Sequence, residues 1–476
     1  MTYTPVEFPT FGGLDYRQDA QETRGSVDLL NVALDVDGMV RTRSGTSSLL
    51  TAAANPTSAF RMSGNYFGFT TGSDMYIRLA SDGSGFGSTA TTDVVTSIVP
   101  WPGTSLTSYY ARGASNLSIK KLVFTPTISA PAGIPTGSCV GVQLPDNRLV
   151  VGNAGNNIGR VAFSAAGDAE TFGADDYVTL PSLVLSFATW SNLLFVFTLT
   201  GLFVFYGNST DATGGSEFNY RLVTSSFSTF YYQDPYLSTA AKDGVYFTSG
   251  DGVYRTTGGP PEKISAELDP LFSKLYTPPY FTGHTTPSFD RVFADANYLY
   301  VSAMPPSTTP ISTGHWYVYH FRTRTWTHWQ VASGDLVLPG MIAATGLPRP
   351  IFASTESTTV AEMKVAYTSD AGTAIVSHYR SGFFNPGQPG VETVVREWLL
   401  DGIGTVTFKT AVDDATVLSS GASITLGTSP ATARGRDRTA LRGSSFSFQV
   451  GAASGFWSVS RVVANVRGQR GAGPES

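Results

Sequence analysis

Cysteine is almost absent: Cys139 stands alone among 476 residues. No intrachain disulfide and no cysteine-based zinc site is therefore available, and an oxidising compartment is not implied. Charge is also scarce, at 14% of residues against roughly 25% in ordinary soluble domains. The 31 basic and 36 acidic residues leave a net charge of −5, which excludes a protein that wraps nucleic acid with a basic face. The opening MTYTPVEFPTFGG lacks a basic region followed by an apolar one, so no secretion signal is expected. The uncharged stretch Leu183 to Gly207, LVLSFATWSNLLFVFTLTGLFVFYG, has the length of a membrane helix. However, Trp190-Ser191-Asn192 and Thr200-Gly201 cut it into strand-sized pieces rich in Val, Phe and Thr. It is read as two or three buried strands, and no membrane insertion is expected.

Long helical patterns are missing as well. The best candidate, Glu262 to Tyr276, contains Pro270, which limits it to a turn or two. What remains is an all-β pattern of short apolar runs punctuated by Gly, Pro, Asp-Gly and Ser clusters. One phrase recurs, a polar pair followed by large aliphatic and aromatic residues. It appears as DNRLVVGN from Asp146, SNLLFVFT from Ser191, KDGVYFTS from Lys242 and ANYLYVSA from Ala296, at intervals of 45, 51 and 54 residues. Weaker copies are SGNYFGFT from Ser63 and RPIFAST from Arg349. Such periods in a β chain mean four-stranded propeller blades, each polar start being the turn into a strand buried on both faces. Six blades are expected, with seven as the alternative. VYHFRTRTWTHW, Val318 to Trp329, reads as a kelch-style outer strand pair, and Asp243 to Gly259 as two strands joined at Ser249-Gly250-Asp251-Gly252.

The expected organisation is an N-terminal arm with a docking hairpin (1–54), a β-propeller (55–390), a small C-terminal antiparallel β-domain (391–466) and a flexible tail (467–476). The last two rest on REWLLDGIGTVTFKTAVDD, RGSSFSFQVGA and FWSVSRVVANVRG, and on the terminal GQRGAGPES.

Chemistry is sought without success. His284, His315, His320, His328 and His378 show no i, i+4 helical spacing, and His320 and His328 are separated by a turn at Thr323-Arg324. Neither a G-x-S-x-G elbow nor a Walker loop occurs. Asp146, Asp243, Asp290 and Asp295 occupy turn positions, where aspartate is expected anyway. Thr368 to Thr373, TSDAGT, begins like a sialidase Asp-box but lacks its tryptophan. Asp35 to Gly38, DVDG, holds half a calcium loop without the later ligands and is read as a hairpin turn. No catalytic, cofactor or metal residue is assigned, and no enzyme is expected. RGRDRTALRG, with Arg434, Arg436, Arg438 and Arg442, is read either as a solvated hairpin or as a subunit or partner interface, since arginine bonds carboxylates through two nitrogens, with phosphate contact as the third reading.

The segment Phe11 to Gly45, FGGLDYRQDAQETRGSVDLLNVALDVDGMVRTRSG, resembles the N-terminus of tail proteins of tailed bacteriophages. These are the tail nozzle (tail tubular protein B) of short-tailed phages and the related packaged-DNA stabilisation, or tail hub, proteins. The matching residues are Gly12, Gly13, Leu14, Leu30, Asn31, Val32, Gly38, Arg41, Arg43 and Gly45. DGVYFTSGDGVYRTTGG resembles that family's propeller, and Arg442 to Phe448 fits its Arg-Gly-x-x-Phe-x-Phe ending. The resemblance implies a structural virion protein, assembled in the host cytoplasm and located in the tail. It would form a ring of six below the portal and adaptor that retains the packaged DNA and conducts it out. Implied partners are further copies of the chain, the adaptor or head-completion ring, and tail fibres or spikes, with double-stranded DNA passing without specific binding. The hairpin would then dock on a neighbouring ring or on the chain's own C-terminal strands, with Asn31, Asp37, Gly38, Arg41 and Arg43 as interface residues beside the four arginines. The weak negative charge suits a DNA conduit, since a strongly basic bore would hold phosphates. The competing readings are a glycan-binding or receptor-binding propeller of a tail, and a kelch-type scaffold.

Overall fold

The computed structural model describes the chain apart from residues 1–3, 9–10, 17–25, 36, 57, 62–65, 72–73, 80–84, 91–94, 102–106, 113–118, 124–126, 130, 132, 137–139, 211–215, 226–236, 273–290, 303–312, 333–335, 343–347, 355–356, 365–367, 386–391, 414, 416, 428–433, 439 and 469–476. The described residues form nine sheets. Among the described residues helix is confined to three short turns, Ala154–Asn156, Ala266–Leu268 and Asp269–Phe272, with Pro270 in the last. The uncharged Leu183 to Gly207 stretch is three strands, Val184–Trp190, Leu193–Thr198 and Gly201–Thr210, and among the described residues no helix is long and apolar enough to cross a membrane.

Seven sheets make a β-propeller. Six are four-stranded meanders, at 58–90, 95–129, 140–179, 184–224, 238–263 and 292–332. The seventh takes three strands from 336–364 and its fourth from Gly45–Thr51, which pairs antiparallel with Ser357–Lys364. The first strands touch in cyclic order, and that of the seventh blade lies against that of the first, closing the ring. The recurring phrase marks the second strand of a blade: Leu149–Gly152, Leu193–Thr198, Gly244–Ser249 and Tyr298–Ser302 are almost wholly buried. Asn147 and Ser191 supply the left-handed backbone of two of the preceding turns.

The count of six is corrected to seven. The overlooked blade has Thr107–Arg112, TSYYAR, as its second strand, where the aliphatic run is replaced by tyrosine and arginine. The interval from Ser63 to Asp146 spans two periods for this reason.

The expected arm is also corrected. The N-terminal strands belong to a two-sheet sandwich that they share with the C-terminal segment. One sheet orders Val32–Leu34, Val40–Thr42, Ser458–Gly468, Thr393–Ile403 and Arg434–Asp437, with Thr4–Glu7 beside Ser458–Gly468 and Leu441–Gly443 beside Thr393–Ile403. The other orders Ser26–Leu30, Ser377–Ser381, Phe446–Ala452, Thr405–Val412 and Ala422–Thr425. The boundaries at 54 and 390 therefore move, because Gly45–Thr51 completes a blade and Ser377–Ser381 lies in the sandwich. Of the tail 467–476, residues 467 and 468 end a strand and the rest lie outside the described residues.

Alternation builds the sandwich core. Along Thr393–Ile403, Val395, Trp398 and Leu400 point inward with no exposure, facing Phe408, Phe446, Phe448 and Val450. Phe8 closes on Phe448 edge to face at 4.8 Å. The same core runs into blades 5 and 6 through Val253, Leu268, Tyr317 and Trp326. Strands Ser26–Leu30 and Val32–Leu34 lie against the outer strand of blade 6, Thr325–Ala332. Each sheet therefore begins at the propeller rim and extends away from it.

Candidate functional site

The hairpin Val32–Leu34 and Val40–Thr42 pairs Leu34 with Val40 and Ala33 with Arg41. Its turn needs a left-handed residue, supplied by Gly38 at φ 75°, whose N–H donates to the Asp35 carbonyl at 3.0 Å. The hairpin then joins the sandwich through Val40 and Arg41, opposite Val459 and Ser458. Of the two expected docking surfaces, the chain's own C-terminal strands are the one it occupies here. Asp37 is exposed at the tip. Arg41 donates back to Asp35 from Nε at 2.8 Å and from Nη2 at 3.3 Å. Asp35 is thus a partner for arginine within its own hairpin.

Arg43 has 1% exposure, and each of its five N–H groups finds an acceptor. Nε donates to Asn31 Oδ1 at 2.9 Å; Nη1 donates to the Ser44 carbonyl at 2.8 Å and Asp370 Oδ1 at 3.0 Å. Nη2 donates to the Gln330 carbonyl at 2.6 Å and to Asp370 Oδ2. Asn31, at φ 53°, also accepts from Gln330 N at 2.6 Å and donates from Nδ2 to the Val376 carbonyl at 2.8 Å. One guanidinium thus ties the hairpin to blades 6 and 7. The expectation that Asn31 and Arg43 face another subunit is corrected: neither has surface to offer, and Arg43 has no donor left. Asp370, the missing partner, stood in the sequence inside TSDAGT; an aspartate in a turn gives no local sign of a ligand 327 residues away.

Beside this joint, His315 Nδ1 and His328 Nε2 are 3.1 Å apart with parallel rings. Burial pushes the His315 imidazole down to about 4. It pushes His328 well below the usual range, helped by the neighbouring His315, His378 and Arg43. His378 instead meets Asp28 at 2.9 Å, while His320 Nδ1 accepts from Thr323 N within its turn. Among the described residues no group of His, Cys, Asp and Glu has the geometry to hold a metal. His284, Asp290 and Cys139 lie outside the described residues.

The other aspartates hold turns. Asp146 pairs with Arg148 at 2.8 Å, Asp243 accepts from the Tyr246 hydroxyl, and Asp295 accepts from Tyr298 N and the Tyr300 hydroxyl. A cavity of about 210 Å³ between blades 5 and 6 is lined by charged groups. Much of that charge is matched locally, Arg255 lying 3.5 Å from Asp243 and Lys263 2.8 Å from Asp269.

The arginine cluster sits at the far edge of the seven-stranded sheet. Arg434 and Arg436 stand opposite Asp401 and Leu399, and Arg442 opposite Val394. Arg436 Nε meets Glu397 at 2.6 Å, and Arg442 pairs with Glu392. Arg438 keeps 76% of its side chain exposed, 4.0 Å from Glu397. The Arg434 side chain lies outside the described part of the structure. Arg436, Arg438 and Arg442 thus form one exposed patch, anchored on carboxylates of the same chain.

No family model and no curated protein matches this chain. Among solved structures, similarity extends to PorZ, a surface component of the type-IX secretion system of Porphyromonas gingivalis (12% identity, TM-score 0.37, 72% of this chain and 43% of that one). It extends also to the extracellular domain of BT4673 from B. thetaiotaomicron (8%, 0.44, 86% and 57%) and to BamB from Moraxella catarrhalis (12%, 0.37, 76% and 100%). The chain spans less than two thirds of the length of the first two.

Proposed function

We propose that this chain is a structural protein of a bacteriophage tail, a nozzle or hub subunit that forms a ring below the portal and adaptor. In this reading the ring retains packaged DNA and conducts it during ejection, and the chain performs no catalysis. One observation supports the reading beyond the sequence resemblance: four of the matching residues, Gly13, Leu14, Asn31 and Arg43, join the two parts of the fold. Gly13 lies so close to blade 6 that a Cβ would come within 2.7 Å of Thr325 Cβ. Leu14 N donates to the Trp326 carbonyl at 2.8 Å, and Asn31 with Arg43 makes the joint. A motif spent on architecture fits a family defined by its assembly.

The test is particle mass and shape. Six copies of a 50.6 kDa chain make a ring of roughly 300 kDa, visible by negative-stain imaging of the purified protein at high concentration, alone and with the adaptor ring. A closed ring is the expected result. A chain that stays monomeric in both settings and binds oligosaccharides on an array overturns it in favour of a glycan-binding propeller.

A further inference from the structure

The cavity between blades 5 and 6 holds polar groups that the fold itself leaves unused. Several of its charges are engaged. Asp243 accepts from the Tyr246 hydroxyl at 3.0 and 3.1 Å. Arg255 donates to the Asp243 carbonyl from Nε at 3.2 Å and from Nη2 at 3.0 Å, and lies 3.7 Å from Glu262. Lys263 pairs with Asp269. Glu267 and Arg324, also in the lining, are different: among the described residues neither side chain forms a hydrogen bond or an ion pair. Glu267 is half-buried on the turn Ala266–Leu268, and Arg324 is exposed between the third and fourth strands of blade 6.

Tyr319 gives an independent sign of a ligand. Only 8% of the residue is exposed, and its ring packs against Trp326 at 5.0 Å and Phe321 at 6.2 Å. Its hydroxyl has no hydrogen-bond partner among the described residues, although a buried hydroxyl ordinarily finds one. That hydroxyl faces the cavity, since the charges acting on it are Arg324, Glu267, Asp243 and Glu262, all in the lining. Burial, opposed by Arg324 and reinforced by the carboxylates, raises the phenol above its ordinary value. At neutral pH it therefore keeps its proton and can donate it in a hydrogen bond.

The spare groups are thus one anion, one cation and one neutral donor. An anion alone would meet the carboxylates of Asp243, Glu262 and Glu267, and a cation alone would leave Arg324 unmatched. A small molecule carrying both signs satisfies each with a charge-assisted bond, about twice as strong as a neutral one. The volume, about 210 Å³, is the share of about seven water molecules, which suits one amino acid and not a length of peptide. We propose that this cavity binds a free α-amino acid, its carboxylate held by Arg324 and the Tyr319 hydroxyl and its ammonium by Glu267. The guanidinium fork takes the carboxylate through two nitrogens. Ile264, Ala266 and Phe321 form the apolar part of the lining, which suits an uncharged side chain. The site goes beyond the ring reading and does not depend on it.

Saturation-transfer NMR on the full chain tests it, with the standard L-amino acids at millimolar concentration as probes and glucose as a neutral control. At least one uncharged amino acid should show transfer. Its N-acetyl and C-terminal amide forms, each lacking one charge, should bind at least tenfold more weakly. Glu267→Gln and Arg324→Asn should weaken binding at least tenfold, and Tyr319→Phe severalfold. Thermal melts should not change, because glutamine and phenylalanine keep the shapes they replace. Asparagine also tolerates the left-handed backbone that Arg324 adopts at φ 55°. No transfer from any amino acid overturns the proposal, as do capped forms that bind as well as free ones, or variants that bind like wild type. Transfer from glucose without transfer from amino acids overturns it in favour of a polyol site.

Discussion

Arg43 and Asp370 are 327 residues apart in sequence and meet as a buried ion pair, Nη1 to Oδ1 3.0 Å, where the hairpin, blade 6 and blade 7 converge. Both side chains are out of water, so removing one partner strands the other. Arg43→Ala should cost about 3–5 kcal/mol of unfolding free energy. Arg43→Lys should recover little of this, because an ammonium cannot replace the five-donor fork. Urea unfolding of the three proteins measures it, and a lysine variant as stable as wild type would show that the pair matters for charge alone.

Acid should loosen the same region. His315 titrates at about 4 in the fold against 6.5 for the free side chain, so between these values the unfolded chain binds a proton that the folded chain refuses. Stability is complete above about pH 6.5 and falls as the pH drops towards 4, by about 2 kcal/mol at pH 5 from His315 alone. His328 acts in the same direction. Denaturation at pH 7 and pH 5 should show the loss in the wild type and a smaller one in His315→Gln. An equal loss in both would place the acid sensitivity elsewhere.

Removing residues 1–54 should destroy the propeller. The truncation takes away Gly45–Thr51 and leaves Ser357–Lys364, with its buried Val360 and Ala361, as an open edge. It also removes four strands of the sandwich, Thr4–Glu7, Ser26–Leu30, Val32–Leu34 and Val40–Thr42. Soluble yield and the cooperativity of the thermal melt report the outcome. A truncated protein with a sharp transition would mean that six and three-quarter blades suffice.

The blades were legible because their second strands repeat a local pattern, a left-handed turn followed by residues hidden on both faces. Blade 2 escaped because tyrosine and arginine stand where the pattern calls for aliphatic side chains. The sandwich was illegible for a different reason. Thr4–Glu7 and Ser458–Gly468 each read as an ordinary strand, and nothing within either names its partner at the other end of the chain. The arginines divided along the same line. Arg436, Arg438 and Arg442 were recognisable as a patch because they are sequence neighbours, whereas the burial of Arg43 depends on Asn31, Gln330 and Asp370 arriving together. The close approach behind Gly13 likewise depends on Thr325, far along the chain.

The strand Gly45–Thr51 also sets a timetable for synthesis. It leaves the ribosome early, and the strand it must pair with follows roughly 300 residues later, on the order of 15–60 s at ordinary rates of translation. The first blade has by then been exposed without a closed neighbour on one side, and the nascent N-terminal hairpin still lacks Ser458–Gly468. A polypeptide released before Ser357 can complete neither part. In the ring proposed above this would act as proofreading: only finished copies would acquire the shape that fits.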